Sequence, residues 1–425
     1  MSTKEEVLAR LRPQLASYFE ELEAEEARTT SGRLPLNAPT FAEGEVLEAL
    51  DSLLSRNVTM GEKVQRFEEM FSHYIGTKHA VMVNSGSSAN LLMLSALANP
   101  ACPERLRLTA GDEVLVPAVT WSTTLWPVIN LGLVPVLVDA DIRTLNMDVA
   151  AARAAITTKT RAIFVAHILG NAADMDAFQA LAHEHNFVLL EDSCEALGTT
   201  YRGKPTGKFS SAASFSFFFS HHITTIEGGM VVTDNDELAD LLLCLRAHGW
   251  TRHLKSRTSV EARYPELDPR FLFVNIGYNL RPTEIQAAFG LCQLPKLERF
   301  NRERRRLAEA MRHGLASVGE ALRFVEPTLG VEHTWFGFPV LLRGAQTGRR
   351  REFTTFLERN GIETRPIIAG NLARQPALQL FPHRLGGMLR NADEIMKNGV
   401  YWACHPSMTA GQVEHLVGAV LRFFS

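Results

Sequence analysis

Between residues 79 and 233, short apolar runs alternate with longer stretches whose apolar positions recur at helical spacing. The runs are His79–Val83, Glu113–Val116, Val134–Asp139, Ala162–Ala166, Phe187–Glu191, Ala213–Phe218 and Gly229–Thr233. Runs this short, rich in Val, Ile, Leu and Phe and separated by helices, read as strands joined by crossover connections. The pattern predicts an α/β fold: one wide, seven-stranded, mostly parallel sheet with helices on both faces. Several runs end in polar clusters, at Asn84 to Ser88, Asp139 to Asp141 and Glu191 to Glu195. Ligands of open sheets sit at the carboxyl ends of the strands, so chemistry is expected at those clusters.

Beyond Asn279 the pattern changes. A long helical stretch runs through Arg302, Glu303, Arg304, Arg305 and Arg306, and strand-like segments follow at Thr334 to Leu342 and Thr364 to Ile368. Three units are expected: an N-terminal helical segment over residues 1–45, a large α/β domain over 46–299, and a smaller C-terminal α+β domain over 300–425. The arginine run reads as a solvated helix face in preference to a phosphate patch. No internal repeat or low-complexity tract is visible.

Composition excludes several classes. The 425 residues are 46% hydrophobic and carry 44 Lys and Arg against 47 Asp and Glu, a formal net charge of -3. A chain of this length buries a large core, and its charge balance lacks the positive field of a nonspecific nucleic-acid binder. Any anion must therefore be held locally. Met1 to Arg33 reads as a charged amphipathic helix and not as an export signal, which predicts a cytoplasmic protein. The longest apolar stretch, Trp121 to Val138, is interrupted by polar residues and prolines, so no membrane span is expected. Cys102, Cys194, Cys244, Cys292 and Cys404 are odd in number and widely spaced; reduced thiols are expected, with neither a disulfide framework nor a metal site.

Three segments carry candidate chemistry. The string Asn84-Ser85-Gly86-Ser87-Ser88-Ala89-Asn90 follows a strand and opens a helix. Free N–H groups at a helix start, with Gly86 and Ser87, cradle a phosphate, although an ordinary serine cap gives the same string. Asp192 ends a strand; beside a phosphate loop and Trp121 it reads as a carboxylate that keeps a pyridinium nitrogen protonated under a stacked indole, the alternative being a solvated loop acid. Phosphate, ring and ring nitrogen together point to pyridoxal 5'-phosphate or its amine form, pyridoxamine 5'-phosphate. The third segment is Ser214-Phe215-Ser216-Phe217-Phe218-Phe219-Ser220-His221-His222-Ile223-Thr224-Thr225-Ile226-Glu227-Gly228-Gly229.

With the phosphate loop, Trp121, the Glu191-Asp192 pair and Gly277-Tyr278-Asn279-Leu280-Arg281, that segment resembles the nucleotide-sugar aminotransferase family of fold-type I pyridoxal-phosphate enzymes, from about Gly44 to the C-terminus. The resemblance implies a homodimer with active sites at the subunit interface, a phosphate-binding serine at Ser216, and an asparagine, Asn279, that reaches the neighbouring subunit's cofactor. One departure matters. Where the family has its Schiff-base lysine, six residues before the glutamate of the Glu-Gly-Gly turn, this chain has His221, and no lysine occurs between Lys208 and Lys255. An imidazole cannot form a Schiff base, so a noncovalent cofactor is expected, with His221 as acid and base, the alternative for His221-His222 being a decayed active site or two structural histidines.

The Ser220–Gly229 run, Arg246-Ala247-His248-Gly249-Trp250-Thr251-Arg252 and Thr364 to Asn371 resemble the 3-dehydratase branch of that family. The resemblance implies C3 dehydration of a nucleotide-linked 4-keto-6-deoxy sugar, GDP-4-keto-6-deoxymannose being the first candidate, with L-glutamate reloading the cofactor. Glu195 matches a cofactor-pocket acid of the branch, with a surface helix cap as the alternative. Arg365 is a candidate carboxylate contact or, equally, half of a structural ion pair. A sister branch holds a [2Fe–2S] cluster with four cysteines; Cys194 matches the first, and Arg252 to Asp268 offers none of the others. The remaining alternatives are a sugar 4-aminotransferase and a noncatalytic sugar-binding relative.

Overall fold

The computed structural model describes residues 3–29 and 32–425; residues 1, 2, 30 and 31, over which the expected N-terminal helical segment also extends, lie outside the described residues. Within them a helix runs over Lys4–Thr29. The strands of the first part are β1 (His79–Val83), β2 (Glu113–Pro117), β3 (Val134–Val138), β4 (Thr160–Ala166), β5 (Val188–Asp192), β6 (Thr200–Tyr201), β7 (Lys204–Pro205), β8 (Ala212–Ser216) and β9 (Gly229–Thr233). Those of the second are β10 (Leu322–Phe324), β11 (Val331–Glu332), β12 (Phe338–Leu342), β13 (Thr364–Pro366), β14 (Arg384–Leu385) and β15 (Gly399–Trp402).

All seven runs read from the sequence are strands of one sheet, in the order β1-β9-β8-β5-β4-β2-β3-β14. Residues of β2, β5, β8 and β9 are buried throughout, as a sheet covered on both faces requires. β9 alone runs against its neighbours. The 217–228 connection from β8 to β9 contains no crossover helix, so the chain can only turn back. The eighth strand, β14, is an addition to the expected seven. Its two residues come from the C-terminal part and pair with Val136 and Leu137, too short a signal to read in sequence.

A second sheet, β10-β12-β15-β13, is antiparallel throughout. It packs with the helices Leu297–Gly314, Arg350–Arg359 and Ala410–Phe424 around Phe338, Phe353 and Trp402. Leu34 joins this core through a bridge to Ile362. Conversely, Ile367, Leu372, Leu378, Leu389 and Ile395 pack into the core of the large sheet. The two layers are thus laced together in both directions, which brings the edge strand β13 and its neighbour β15 over the large sheet.

The arginine run corrects one expectation. Arg302 and Arg306 are exposed, but Arg304, on the inner face of the same helix, is only 2% exposed. Among the described residues no helix is long and apolar enough to cross a membrane.

Candidate active site

A cavity of about 630 Å³ opens at the carboxyl ends of β1, β4, β5 and β8 and is closed from above by Phe336, Arg365, Pro366 and Tyr401. One end of it is built by close backbone approach. Ser85 caps the helix Gly86–Leu97, its hydroxyl oxygen accepting the Ser88 N–H. The N–H groups of Gly86 and Ser87 then find no acceptor within the helix. A Cβ on Gly86 would lie 2.4 Å from the Ser216 Cβ, and one on Gly229 would lie 2.3 Å from the Ser85 carbonyl oxygen. Two glycines therefore let the first helical turn rest directly on β8 and β9, which places the Ser216 hydroxyl beside the free N–H groups.

Asp192 ends β5 and accepts three hydrogen bonds: Asn90 Nδ2 and Thr124 Oγ1 donate to Oδ2, both at 2.8 Å, and the Cys194 N–H donates to Oδ1 at 3.1 Å. All partners donate, which suits a carboxylate. Trp121, at the cap position of the helix Ser122–Asn130, is 58% exposed and lines the cavity beside it. Glu195 accepts the Leu169 N–H at 2.8 Å; burial, reinforced by the charge of Asp192, raises its carboxyl to about 8, so it keeps its proton at neutral pH. Cys194 also lines the cavity, and burial beside Asp192 keeps its thiol protonated.

His221 follows β8 on the return loop. Its ring lies 5.0 Å from that of Phe336, and its Nδ1 has no partner. Burial, with a smaller contribution from Arg304, lowers its pKa to about 3, so the imidazole is neutral near pH 7. His222 is fully buried and lies outside the cavity lining. His167 does line the cavity, but its Nδ1 accepts the Ala173 N–H, which leaves the ring proton on Nε2, donated to Glu191 at 3.0 Å. Both of its nitrogens are engaged, and no lysine lines the cavity among the described residues. His221 is thus the histidine left free to move a proton.

A profile for the DegT/DnrJ/EryC1/StrS aminotransferase family matches residues 40–421. The chain belongs to that family. It is 40% identical over 387 residues to GDP-4-keto-6-deoxy-D-mannose 3-dehydratase of Yersinia pseudotuberculosis, covering 90% of this chain and 96% of the relative. It is 35% identical over 432 residues to dTDP-4-dehydro-2,6-dideoxy-D-glucose 3-dehydratase of Saccharopolyspora spinosa, covering 99% and 92%. A crystal structure of GDP-4-keto-6-deoxymannose-3-dehydratase with a trapped PLP-glutamate geminal diamine superposes with a TM-score of 0.85 at 37% identity, covering 91% of this chain and all of that one.

The cavity of this DegT/DnrJ/EryC1/StrS family member collects Gly86, Ser87, Trp121, Asp192, Glu195, Ser216, His221 and Arg365 from widely separated stretches of chain. Asn279 is not brought in. It is exposed, accepts from its own neighbour Arg281 at 2.9 Å, and sits in a turn packed against Ala247 to Gly249. Arg365 makes no ion pair among the described residues and donates to the Thr364 carbonyl, so the structural-pair alternative is not seen. Sequence reading missed Asn90, Thr124, His167, Phe336 and Tyr401. Asn90 and Thr124 carried a faint signal, lying one helical turn beyond Gly86 and Trp121 respectively; Tyr401 reaches the cavity only through the β13–β15 pairing that sets it opposite Arg365.

Proposed function

We propose that this protein removes the C3 hydroxyl of a nucleotide-linked 4-keto-6-deoxyhexose, GDP-4-keto-6-deoxymannose in the first instance, with noncovalent pyridoxamine phosphate as cofactor and L-glutamate as the amino donor that reloads it. The observation that carries this reading is His221, its Nδ1 without a partner, in a cavity with no lysine in its lining among the described residues. The residues fit the cofactor: the collision a Cβ would make at Gly86 marks a close approach of backbone to Ser216, and Asp192 offers an anion within the same cavity. The chemistry supplied by the bound cofactor is an amine for the C4 ketone and a ring that takes up electrons.

The chain's own residues do the rest. Gly86, Ser87 and Ser216 hold the phosphate, Trp121 covers the ring, and Asp192 keeps the ring nitrogen protonated. His221 takes a proton from carbon and hands it to the C3 hydroxyl, which leaves as water. Glu195, protonated at neutral pH, is a hydrogen-bond donor at the cofactor's edge. Arg365, unpaired at the cavity mouth, is matched to the glutamate carboxylate.

We further propose a homodimer in which Asn279 completes the partner's phosphate site. Support comes from the apolar belt beside it: Phe271, Phe273 and Ile276 are 67%, 53% and 85% exposed. Five free cysteines support a reducing, cytoplasmic location.

The test incubates the protein with cofactor, L-glutamate and GDP-4-keto-6-deoxymannose, followed by mass spectrometry. A product one oxygen lighter is expected. A 4-amino sugar would move the protein to the aminotransferases, and unchanged substrate across GDP-, CDP-, dTDP- and UDP-linked keto sugars would leave a binding protein.

A further inference from the structure

Arg304 occupies an unusual position for a guanidinium. It is buried, it makes no ion pair with a carboxylate among the described residues, and its Nη1 donates to three carbonyls: Trp335 and Phe336, both at 3.2 Å, and Cys404 at 2.6 Å. An ion buried without a counter-charge costs several kcal/mol even after relaxation. Around it the hydrogen-bond ledger fails to close. Of the fourteen buried side-chain polar atoms without a partner among the described residues, seven belong to Arg304, His221, His222, His333 and His405.

The wall itself is the segment His333 to Phe336. His333 Nδ1 accepts the Trp335 N–H, the two rings stack at 3.9 Å, and Trp335 is held in a left-handed conformation at φ 49. Arg304 grips this strained turn by its carbonyls. The next side chain, Phe336, is the ring that lies against both His221 at 5.0 Å and His222 at 5.8 Å. We propose that Arg304 is the positioning residue of His221: its hydrogen bonds to the Trp335 and Phe336 carbonyls fix the Phe336 ring that backs the imidazole, and they set a buried cation without a carboxylate partner behind the same wall.

This rests on the dehydration reading and deepens it. A base alone would strand the proton it takes from carbon; an imidazolium destabilised by a buried cation gives it up readily to the departing C3 hydroxyl. The C–H proton then leaves within the water formed, and His221 ends neutral, as it began. Every ionisable group facing His221 enters this balance. Behind the wall these are Arg304, His222 and His333; within the cavity they are His167, Asp192, Cys194, Glu195, Glu227, Arg365 and Tyr401. The low pKa of His221 agrees with Arg304 acting on top of burial.

The experiment follows histidine rings by NMR in the wild-type protein with pyridoxal phosphate bound, the His221 signal being assigned from its absence in His221→Asn. The wild-type ring should stay neutral down to pH 5.5. Arg304→Met should raise the pH at which it protonates by at least one unit, and Arg304→Lys, which keeps the charge, should stay near wild type. In parallel, kcat for the keto sugar in Arg304→Met should begin to fall at a higher pH than in wild type, displaced by the same amount as the ring titration, while Arg304→Lys keeps the wild-type profile. A wild-type His221 that titrates near pH 6.5, or an unchanged titration in Arg304→Met, overturns the proposal. So does a loss of kcat that is uniform with pH, since that is all a structural role would give. If Arg304→Met does not fold, Arg304→Gln, which keeps an N–H donor for the carbonyls and removes the charge, is read by the same titration. A protein that consumes no keto sugar at any pH refutes the dehydration reading, while the ring titration still decides the coupling.

Discussion

Gly86→Ala tests the phosphate cradle by adding one methyl group. The new Cβ would sit 2.4 Å from Ser216 Cβ, 2.7 Å from its Oγ and 3.1 Å from its Cα. Carbon atoms in comfortable contact are about 3.5–4.0 Å apart, so the helix start and the end of β8 must separate by more than about 1 Å. Overpacking of this kind costs about 1–3 kcal/mol of stability, which urea unfolding of the cofactor-free protein would read directly. The same displacement pulls the Gly86 and Ser87 N–H groups away from the Ser216 hydroxyl. Losing one charge-assisted phosphate contact costs about 1.5–3 kcal/mol, an affinity loss of roughly 10- to 100-fold in an absorbance titration with pyridoxal phosphate.

A second variant separates the cause from general damage. Ser216→Gly removes the Cβ and Oγ that the new methyl would strike, leaving only the 3.1 Å approach to Cα, which a shift of a few tenths of an ångström relieves. The double variant Gly86→Ala/Ser216→Gly should therefore recover most of the stability lost by Gly86→Ala, while cofactor affinity stays low because the serine hydroxyl is gone. Strong non-additivity of this sign is the signature of two groups in direct contact. Wild-type affinity in Gly86→Ala, or additive losses in the double variant, would show that the cradle is not formed by this contact.

Further outcomes follow from the same geometry. His221→Asn should still bind cofactor, while dehydration falls by at least about 100-fold, the usual effect of losing a general acid-base group. Asp192→Asn can keep its oxygen toward Asn90 and Thr124 but must then turn an NH2 toward the Cys194 N–H; a several-fold loss of cofactor affinity with a drop in turnover of roughly 100-fold or more is expected, and turnover near wild type would remove Asp192 from the ring nitrogen. Borohydride treatment of the holoenzyme followed by denaturation should release the cofactor, and a reduced pyridoxyl-lysine peptide would contradict the noncovalent reading. Glu195 is protonated in the folded state up to about pH 8 and ionises near 4.5 when unfolded, so the unfolded state binds fewer protons between those limits and wild-type stability falls with rising pH across that window relative to Glu195→Gln; parallel stability curves for the two proteins would refute the raised pKa.

The large sheet was legible because its strands are buried on both faces, and continuous apolar runs punctuated by polar clusters leave little choice of assignment. Gly86, Ser87 and Asp192, which line the cavity, sit at a strand end or helix start and were picked out for the same reason, their sequence neighbours announcing the geometry; Ser216, which also lines it, was named only through the family resemblance. What the sequence hid lies where distant segments meet. Tyr401 and Phe336 reach the cavity through the packing of the second sheet, and β14 is two residues borrowed by the first. Arg304 was misread because an arginine-rich helix has a charged composition on every side; only the packing of β12 and β15 against one face, around Phe338 and Trp402, determines which arginine is enclosed.

A histidine, His221, where the family resemblance places a Schiff-base lysine changes more than one residue's chemistry. Without a covalent bond, noncovalent contacts alone would have to hold the cofactor while a proton is moved within the same few ångströms. In this fold both tasks fall to one return loop. It leaves β8 at Ser216, the proposed phosphate contact, carries His221 five residues on, and enters β9 at Gly229, whose missing side chain admits Ser85. Inside the loop the Thr225 N–H donates to the Phe217 carbonyl, Thr225 Oγ1 donates to the Glu227 carbonyl, and Ile226 is held at φ 69. The loop is thus pinned at both ends and tied across its middle, so His221 cannot shift without moving Ser216. Thr225→Val keeps the shape but removes the hydroxyl that bonds Glu227. If anchoring and proton transfer share this loop, that variant should weaken cofactor affinity and slow dehydration together; a variant that lost one and kept the other would show that the two tasks are separable.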